Sequence, residues 1–217
     1  MKNICHLILL LTFINVSGCA VNPATGNQDL VLMSEKNEIA LGRKMHKEIL
    51  QQYSVYANPE LQAYVTGIGE ELAKNSHRNN LIYRFTVLDS KDVNAFALPG
   101  GYIYITRGLL AYLNSEAELA AVIGHEIGHV TARHSVRQYS ATQLANIGAT
   151  LAAIFIPSMN QVGSQLMQTV STALLRGYGR EHELEADKLG AEYVARTNYS
   201  AESMLDVIRV LKNQEVF

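Results

Sequence analysis

The sequence predicts a mainly helical α+β domain in which one small sheet of about three strands lies between helices. Two observations support this prediction. Capped helical patterns occupy both halves of the 217-residue chain, and three short segments rich in β-forming residues follow one another between positions 82 and 106. No internal repeat is visible, so we expect one main folded domain.

The first two helices are predicted from the residues that would start them. Ser34 is a suitable N-cap for a helix that runs to about Tyr53. A second helix is expected to begin at 58–60, where a capping asparagine, a proline at the first helical position and an early acidic residue agree. It should end near Asn75.

Three strands are expected in the segment after the second helix, because it is rich in β-branched and aromatic residues. They cover 82–88 (IYRFTVL), 94–98 (NAFAL) and 101–106 (GYIYIT). The Pro-Gly-Gly sequence at 99–101 predicts a turn between the second strand and the third.

A third helix is predicted by the capping-box pattern Ser-Glu-Ala-Glu at 115–118, and it should run to about Arg137. A last pair of helices is expected to start near Arg180 and near Ser200. Between these regions, no charged residue occurs from Gln138 to Leu175.

The most apolar part of this uncharged stretch, 144–156, has 13 residues, which is short for a membrane span. We expect a buried helical hairpin around Pro157. A membrane-contacting segment or a mobile lid is the alternative.

The N-terminus resembles the signal of a bacterial lipoprotein. Lys2 is followed by the apolar run 4–16, and Val-Ser-Gly at 16–18 precedes Cys19 as in a lipobox, in which the cysteine is acylated and becomes the new N-terminus. We therefore expect a signal peptide over 1–18, a turn-rich tether over 19–33 and a folded domain over 34–217. The alternative is an uncleaved signal anchor with an incidental cysteine.

Composition limits the chemistry and the partners. Removal of Cys5 with the signal and acylation of Cys19 would leave no thiol for a disulfide or a metal ligand, so the chemistry must come from histidines, carboxylates and hydroxyls. The chain has 18 basic and 20 acidic residues, a net charge of −2. Without a basic surplus, a nucleic-acid partner is excluded.

The sequence His-Glu-Ile-Gly-His at 125–129 falls inside the third predicted helix. Residues at i and i+4 lie one above the other, so His125 and His129 can bind one Zn²⁺. Glu126 is rotated by about 100°, which leaves it beside the metal, where it can take a proton from a zinc-bound water. The alternative is that both histidines are packed core residues.

Two histidines leave a catalytic zinc one protein ligand short. His134 is near in sequence, but the extension typical of metzincins would place glycine at 132 and histidine at 135, where this chain has Ala132 and Ser135. We therefore interpret His134 as a polar residue near the helix end.

Glu183 is the better candidate for the third ligand. A helix over this region would place two acids, Glu183 and Asp187, on a face that is otherwise small and apolar, and inward carboxylates need a partner. We expect Glu183 to bind the metal, Asp187 to accept the distal N–H of a ligand histidine, and Glu185 to face solvent. The alternative is an inward salt bridge between these acids and Arg180 or another cation.

At these residues the sequence resembles the gluzincin family of zinc metalloproteases, which includes HtpX, BepA and the CAAX prenyl endopeptidases. The resemblance lies in four segments: 92–97 (DVNAFA), 125–129 with His134, Glu183 with Asp187, and the early 22–26 (NPATG). They are spread over nearly all of the chain after Cys19.

The resemblance implies a zincin-like metalloprotease fold and one zinc ion per chain, bound by His125, His129 and Glu183. It also implies that Glu126 is the general base and that Asp187 supports the site. The segment Asn94, Ala95 and Phe96 would line the substrate cleft beside a strand that pairs with an extended substrate. Relatives continue with a further helical region, so we expect the C-terminal region to be truncated at Phe217; the alternative is that this member of the family is short.

These observations predict a membrane-anchored zinc endopeptidase that cleaves unfolded or misassembled envelope proteins, with Glu126 activating a zinc-bound water. Lipid on Cys19 would hold it on the periplasmic side, and Ala20 favours the outer membrane over the inner one. Tyr178, His182 and Arg133 are candidates for stabilising the oxyanion. A non-proteolytic zinc-binding envelope chaperone or assembly adaptor is the alternative, and cleavage close to the membrane through the uncharged stretch is a third possibility.

Overall fold

Residues 19–142 and 178–214 are described by the structure, which is a computed structural model. The predicted signal peptide over 1–18 and the predicted apolar hairpin over 144–156 lie outside the described residues, and so does most of the uncharged stretch. Within the described part, the predicted α+β class is confirmed.

The segment predicted to be a tether contains a folded hairpin. Strands β1 (Cys19–Val21) and β2 (Gln28–Leu30) pair antiparallel. The turn between them is organised by Asn22, whose side-chain oxygen accepts hydrogen bonds from the backbone N–H groups of Ala24 (2.9 Å) and Thr25 (3.3 Å). Gly26 closes the turn with φ 72°, a conformation that favours glycine. This segment therefore has regular structure of its own and is not only a tether.

The first two predicted helices are confirmed at both ends. Helix α1 (Glu35–Gln52) is capped by Ser34, and helix α2 (Pro59–Lys74) is capped by Asn58. In each case the side-chain oxygen of the cap accepts a backbone N–H three residues further on, at 3.3 Å and 3.0 Å.

The three predicted strands form one mixed sheet. They are β3 (Arg84–Leu88), β4 (Ala95–Leu98) and β5 (Tyr102–Thr106), in the order β3-β5-β4. Strand β5 lies in the centre, parallel to β3 and antiparallel to β4, and all of its residues are buried. In the described part of the chain, β4 is therefore an edge strand.

A short helix, α3 (Arg107–Leu110), follows β5 directly and was not predicted. The predicted helix over 115–137 is broken in two. Helix α4 (Glu116–Thr131), capped by Ser115, ends before Arg133, and a further helix, α5, begins at 134 and is described to 142. At the break Arg133 has φ 56°, and its side chain is held by groups outside the helix: Nε donates to Glu38 Oε2 (2.8 Å) and Nη2 to the Met33 carbonyl (2.9 Å).

The last pair of helices is confirmed as α6 (Arg180–Ala195) and α7 (Ser203–Gln214). Helix α4 lies between α6, α7, α2 and the sheet, so it is buried on nearly every side. Its predicted apolar stripe is confirmed as core, with every member at most 4% exposed: Leu119, Ile123, Ile127 and Val130. Among the helices of residues 19–142 and 178–214, none is long and apolar enough to cross a membrane.

Candidate metal centre

Helix α4 places His125 and His129 one turn apart, as the spacing predicts. Their Nε2 atoms lie 2.9 Å apart. The His129 side chain is only 4% exposed, and that of His125 is 20% exposed. Both rings therefore direct the same nitrogen toward one point at the edge of the core.

Helix α6 brings a carboxylate to this point. Glu183 Oε2 lies 3.4 Å from His125 Nε2 and 3.8 Å from His129 Nε2. A tetrahedral zinc site with bonds of about 2.1 Å has its ligand atoms about 3.4 Å apart, and the three distances here, 2.9, 3.4 and 3.8 Å, lie on either side of that value. Within the described residues these three side chains form a group that could hold a metal ion.

The close approach of α4 and α6 depends on small residues at the contact. A Cβ atom on Gly128 would lie 2.8 Å from the Ala186 carbonyl oxygen, and a Cβ atom on Gly190 would lie 2.7 Å from the His125 backbone nitrogen. Because neither position carries a larger side chain, the two helices pack backbone to backbone. Glu183 and Asp187 are thereby brought within reach of the histidines.

Asp187 lies one turn beyond Glu183 and contacts the other nitrogen of His125, at 2.8 Å between Oδ1 and Nδ1. A histidine that binds a metal through Nε2 keeps its proton on Nδ1, and a carboxylate there fixes this tautomer and the ring orientation. Among the described residues, the ion-pair contacts of these two acids are with the histidines and not with Arg180 or another cation, the alternative from sequence.

Glu126 is buried and lines the same cavity as His125, Glu183 and Asp187. Burial raises the pKa of its carboxyl group to about 7, against an ordinary value of 4.5; the neighbouring His125 opposes this shift and Glu183 adds to it. A carboxyl group with a pKa near neutrality can both accept and return a proton at physiological pH.

The cavity beside Glu126 has a volume of about 340 Å³. Apart from the acids and His125, most of its wall is apolar: Val93, Ala95, Leu109, Val122, Met204, Val207 and Ile208. Asn94 and Ala95, two residues of the predicted cleft, are among the lining residues. Phe96 is not, because side chains alternate along a strand: its ring points to the other face of β4 and stacks on Tyr104 at 4.8 Å between centroids.

His129 is supported by a different residue from His125. Its Nδ1 atom lies 2.8 Å from Nδ1 of His134, which is completely buried, and His134 Nε2 lies 3.1 Å from Glu185 Oε2. The sequence-based interpretation of His134 as a polar residue near a helix end was therefore incomplete. The expectation that Glu185 faces solvent was wrong, since its side chain is 19% exposed and is bound by His134 and Arg137.

The three oxyanion candidates take other positions. Arg133 is bound to Glu38, and the ring of His182 stacks on His134 at 4.3 Å, outside the cavity beside Glu126. Tyr178 is closer: its ring stacks on His129 at 4.3 Å, its backbone N–H donates to Glu183 Oε1 (3.0 Å), and its hydroxyl lies 2.5 Å from the Ser135 hydroxyl. Tyr178 thus helps to hold two of the three candidate ligands.

The pKa values of the two candidate ligand histidines are shifted in opposite directions. Burial lowers the pKa of His129 well below its ordinary value, and the neighbouring histidines lower it further, so this ring is neutral and its Nε2 lone pair can be free for a metal. For His125, burial alone would lower the pKa, but hydrogen bonds to Asp187 and Glu183 raise it to about 10. Metal binding at His125 must therefore displace a proton.

Burial works against the ionised form of Glu183, but the hydrogen bonds from His125 and from the Tyr178 backbone N–H outweigh it. They hold the pKa of Glu183 below its usual range. Once the His125 proton is displaced, the candidate ligand set is two neutral imidazoles and one carboxylate, which is the donor combination of many catalytic zinc sites.

Two histidines one turn apart that meet a glutamate from a second helix, with a buried carboxylate beside them, are the arrangement of a metallopeptidase. A comparison with protein-family models also indicates a peptidase. Residues 59–217 match the model described as Peptidase family M48, and the chain belongs to this family. The described residues thus form a domain of a metallopeptidase family of the gluzincin type.

Curated proteins with similar sequences carry names of the same kind. The chain is 25% identical over 199 residues to the beta-barrel assembly-enhancing protease of Yersinia pestis and 24% identical over 199 residues to that of Escherichia coli strain K12, in each case over 88% of this chain and 41% of the relative. It is 35% identical over 129 residues to the mitochondrial metalloendopeptidase OMA1 of Arabidopsis thaliana, over 58% of this chain and 25% of the relative. The chain thus spans less than half the length of each of these relatives.

Proposed function

We propose that this protein is a zinc-dependent endopeptidase of the bacterial cell envelope that cleaves unfolded or misassembled envelope proteins. The observation that carries the proposal is the meeting of His125, His129 and Glu183 at one point, with Glu126 in the wall of the adjoining cavity.

Zinc is the proposed metal because one carboxylate and two imidazoles, with the His125 proton displaced, suit it, and because the three donor atoms all lie within 4.8 Å of one another. When bound, zinc would polarise the scissile carbonyl and lower the pKa of the attacking water toward about 7. His125, His129 and Glu183 hold the ion, and Asp187 keeps the His125 proton on Nδ1.

Glu126 is proposed as the general base and then the general acid. Its carboxylate removes a proton from the attacking water and delivers it to the leaving amine nitrogen, for which a pKa near 7 is well suited. The backbone of edge strand β4 offers hydrogen-bonding groups to an extended substrate, and Asn94 and Ala95 lie where that strand enters the cavity.

The substrate class and the location are inferred from two sources. The relatives from Yersinia pestis and Escherichia coli are named for enhancing β-barrel assembly, which supports envelope proteins as the proposed substrates. The lipobox-like residues before Cys19 support a lipid anchor on that cysteine, facing the periplasm, and Ala20 favours the outer membrane.

The proposal is tested by incubating the full-length protein, purified in detergent and loaded with zinc, with unfolded envelope proteins and identifying new peptide termini by mass spectrometry. Glu126→Gln should abolish cleavage while zinc still binds, and Glu181→Gln, which changes an exposed glutamate on α6, should leave cleavage unchanged. If Glu126→Gln fully complements a deletion strain, proteolysis is not the function and the chaperone or adaptor role is favoured.

Anchoring is tested separately by metabolic labelling with a fatty acid. Cys19→Ser should abolish incorporation of the label and release the protein from the membrane fraction, whereas Cys5→Ser, which changes a residue of the predicted signal peptide, should change neither. Label retained in Cys19→Ser would contradict the anchor but not the peptidase assignment.

A further inference from the structure

The two candidate ligand histidines differ in what stabilises their second nitrogen. His125 contacts a carboxylate, as is usual, whereas His129 contacts another histidine, His134. His134 is completely buried, and its other nitrogen reaches Glu185 at 3.1 Å. Because a neutral histidine has one donor and one acceptor nitrogen, His134 can bind Glu185 with one and hold the ring of His129 in place with the other.

The direction of these hydrogen bonds follows from metal binding. If His129 binds the ion through Nε2, its proton is on Nδ1 and is donated to Nδ1 of His134. His134 must then carry its own proton on Nε2, which it donates to Glu185. The tautomer of His129 therefore determines that of His134, and the Glu185 carboxylate accepts the last hydrogen bond.

Glu185 is itself held in place from two sides. Arg137 Nη1 lies 2.7 Å from Glu185 Oε2, and Asn22 Nδ2 donates to Glu185 Oε1 at 3.2 Å. Asp29, on β2, connects the two donors, because its Oδ2 accepts from Asn22 Nδ2 at 2.9 Å and lies 3.3 Å from Arg137 Nε. Both Asn22 and Asp29 belong to the hairpin that follows Cys19.

Asn22 is suited to this position. It is 3% exposed although the surrounding hairpin is largely exposed, and its oxygen is used to form the turn while its nitrogen is left for the two carboxylates. The segment 22–26 is part of the family resemblance but contains no candidate metal ligand. Its hydrogen bonds explain why it matters, because Asn22 both forms the turn and binds Asp29 and Glu185.

We propose that Glu185 and Asn22 are positioning residues for His129, acting through His134, and that the N-terminal hairpin is in this way part of the support of the metal centre. The inference rests on the proposed function in one respect, namely that His129 binds the metal. It assigns no chemical step to Glu185 or Asn22, which touch neither the candidate ligands' donor atoms nor the cavity beside Glu126.

Three variants of the full-length protein test the proposal. Glu185→Ala removes the acceptor, Glu185→Gln keeps an oxygen that can accept from His134 but removes the charge, and Asn22→Asp keeps the turn-forming oxygen but removes the donor to Glu185. The matched controls are Glu181→Ala, an exposed residue of the same helix, and Asn27→Asp, which adds the same charge at an exposed position of the same hairpin.

Three quantities are measured: the zinc dissociation constant by competition with a chelator, the visible absorption spectrum of the cobalt-substituted protein, and the melting temperature without metal. Glu185→Ala should weaken zinc binding by about 10- to 100-fold and change the cobalt spectrum. Asn22→Asp should weaken it less, Glu185→Gln should recover part of the loss, and both controls should match the wild type.

Unchanged zinc affinity and an unchanged cobalt spectrum in Glu185→Ala would overturn the inference. So would a spectrum that stays unchanged while the melting temperature of the metal-free protein falls, since that combination indicates a role in folding alone. If Glu185→Ala does not fold, Glu185→Gln and Asn22→Asp decide by the same criteria. A wild-type protein that binds no zinc would instead overturn the proposed function.

Discussion

Gly128 of α4 lies directly against Ala186 of α6, so that a Cβ atom at position 128 would come within 2.8 Å of the Ala186 carbonyl oxygen. This contact sets the distance between the helix that carries the two histidines and the helix that carries Glu183. The geometry of the candidate metal centre therefore depends on Gly128, a residue without a side chain that could bind the metal.

Gly128→Ala should push the two helices apart, because the atom it would meet is backbone and cannot rotate away. We expect a loss of about 1–3 kcal/mol in the free energy of unfolding and weaker zinc binding. Chemical denaturation and chelator competition measure the two effects. Gly67→Ala is the control, since nothing lies within 4 Å of a Cβ atom there; stability should be unchanged or slightly increased.

Glu126→Gln should stabilise the metal-free protein at high pH. Burial raises the pKa of Glu126 in the folded state from 4.5 to about 7, so its contribution to stability is present below pH 4.5 and is lost as the pH rises through 7. Glutamine cannot ionise and has no such loss. The variant should therefore exceed the wild type by on the order of 1–3 kcal/mol at pH 8 and match it near pH 4.

Urea denaturation of both proteins with a chelator present, at a series of pH values, gives the comparison. Glu181→Gln, at an exposed site, serves as the control and should follow the wild type at every pH. A difference between Glu126→Gln and the wild type that does not vary with pH would show that the carboxyl group is not destabilised by burial.

Asp187→Ala should weaken zinc binding by about 10- to 100-fold, because it leaves the Nδ1 proton of His125 without its acceptor. Asp187→Asn keeps an oxygen at the same place and should lose less. Isothermal titration with zinc measures both variants. Equal losses in the two would indicate that the charge of Asp187, and not its orientation of the ring, is what matters.

Glu38→Ala should be strongly destabilising. The Glu38 carboxylate is 1% exposed and binds two arginines, Arg78 at 2.8 Å and Arg133 at 2.8 Å. Removing it leaves two largely buried guanidinium groups without their acid, a loss of about 3–5 kcal/mol in the free energy of unfolding.

The control for Glu38 is its neighbour on the same helix. Glu35 lies 3.7 Å from Arg78 but is 54% exposed, and Glu35→Ala should cost less than about 1 kcal/mol. Thermal and urea denaturation at neutral pH measure the stability of the two variants. If Glu35→Ala lost as much free energy of unfolding as Glu38→Ala, the burial of Glu38 would not explain its contribution.

Local structure could be predicted from sequence wherever its cause is local. Ser34, Asn58 and Ser115 begin helices because each cap accepts a backbone N–H only three residues away. The spacing of His125 and His129 also follows from helix geometry alone, and so does the shared face of Glu183 and Asp187. These features therefore needed no knowledge of the fold.

Features that depend on distant residues could not be predicted in this way. Arg133, at the break, binds Glu38, which is 95 residues away in the sequence, and Glu185 is bound by Asn22, which is 163 residues away. The family resemblance implied that Phe96 lines the cleft with Asn94 and Ala95, but its ring stacks on Tyr104 and is not among the residues that line the cavity.

The sequence by itself thus determined about where the main helices begin, where the three strands of the mixed sheet lie, and the pair of histidines with the glutamate between them. Only the tertiary structure decided how the two histidines are supported, one by Asp187 and the other by His134 and Glu185. The physical reason is that a capping bond or a helical spacing joins near neighbours, whereas the partner of a buried polar side chain is whatever group the packing of other elements brings within hydrogen-bond distance.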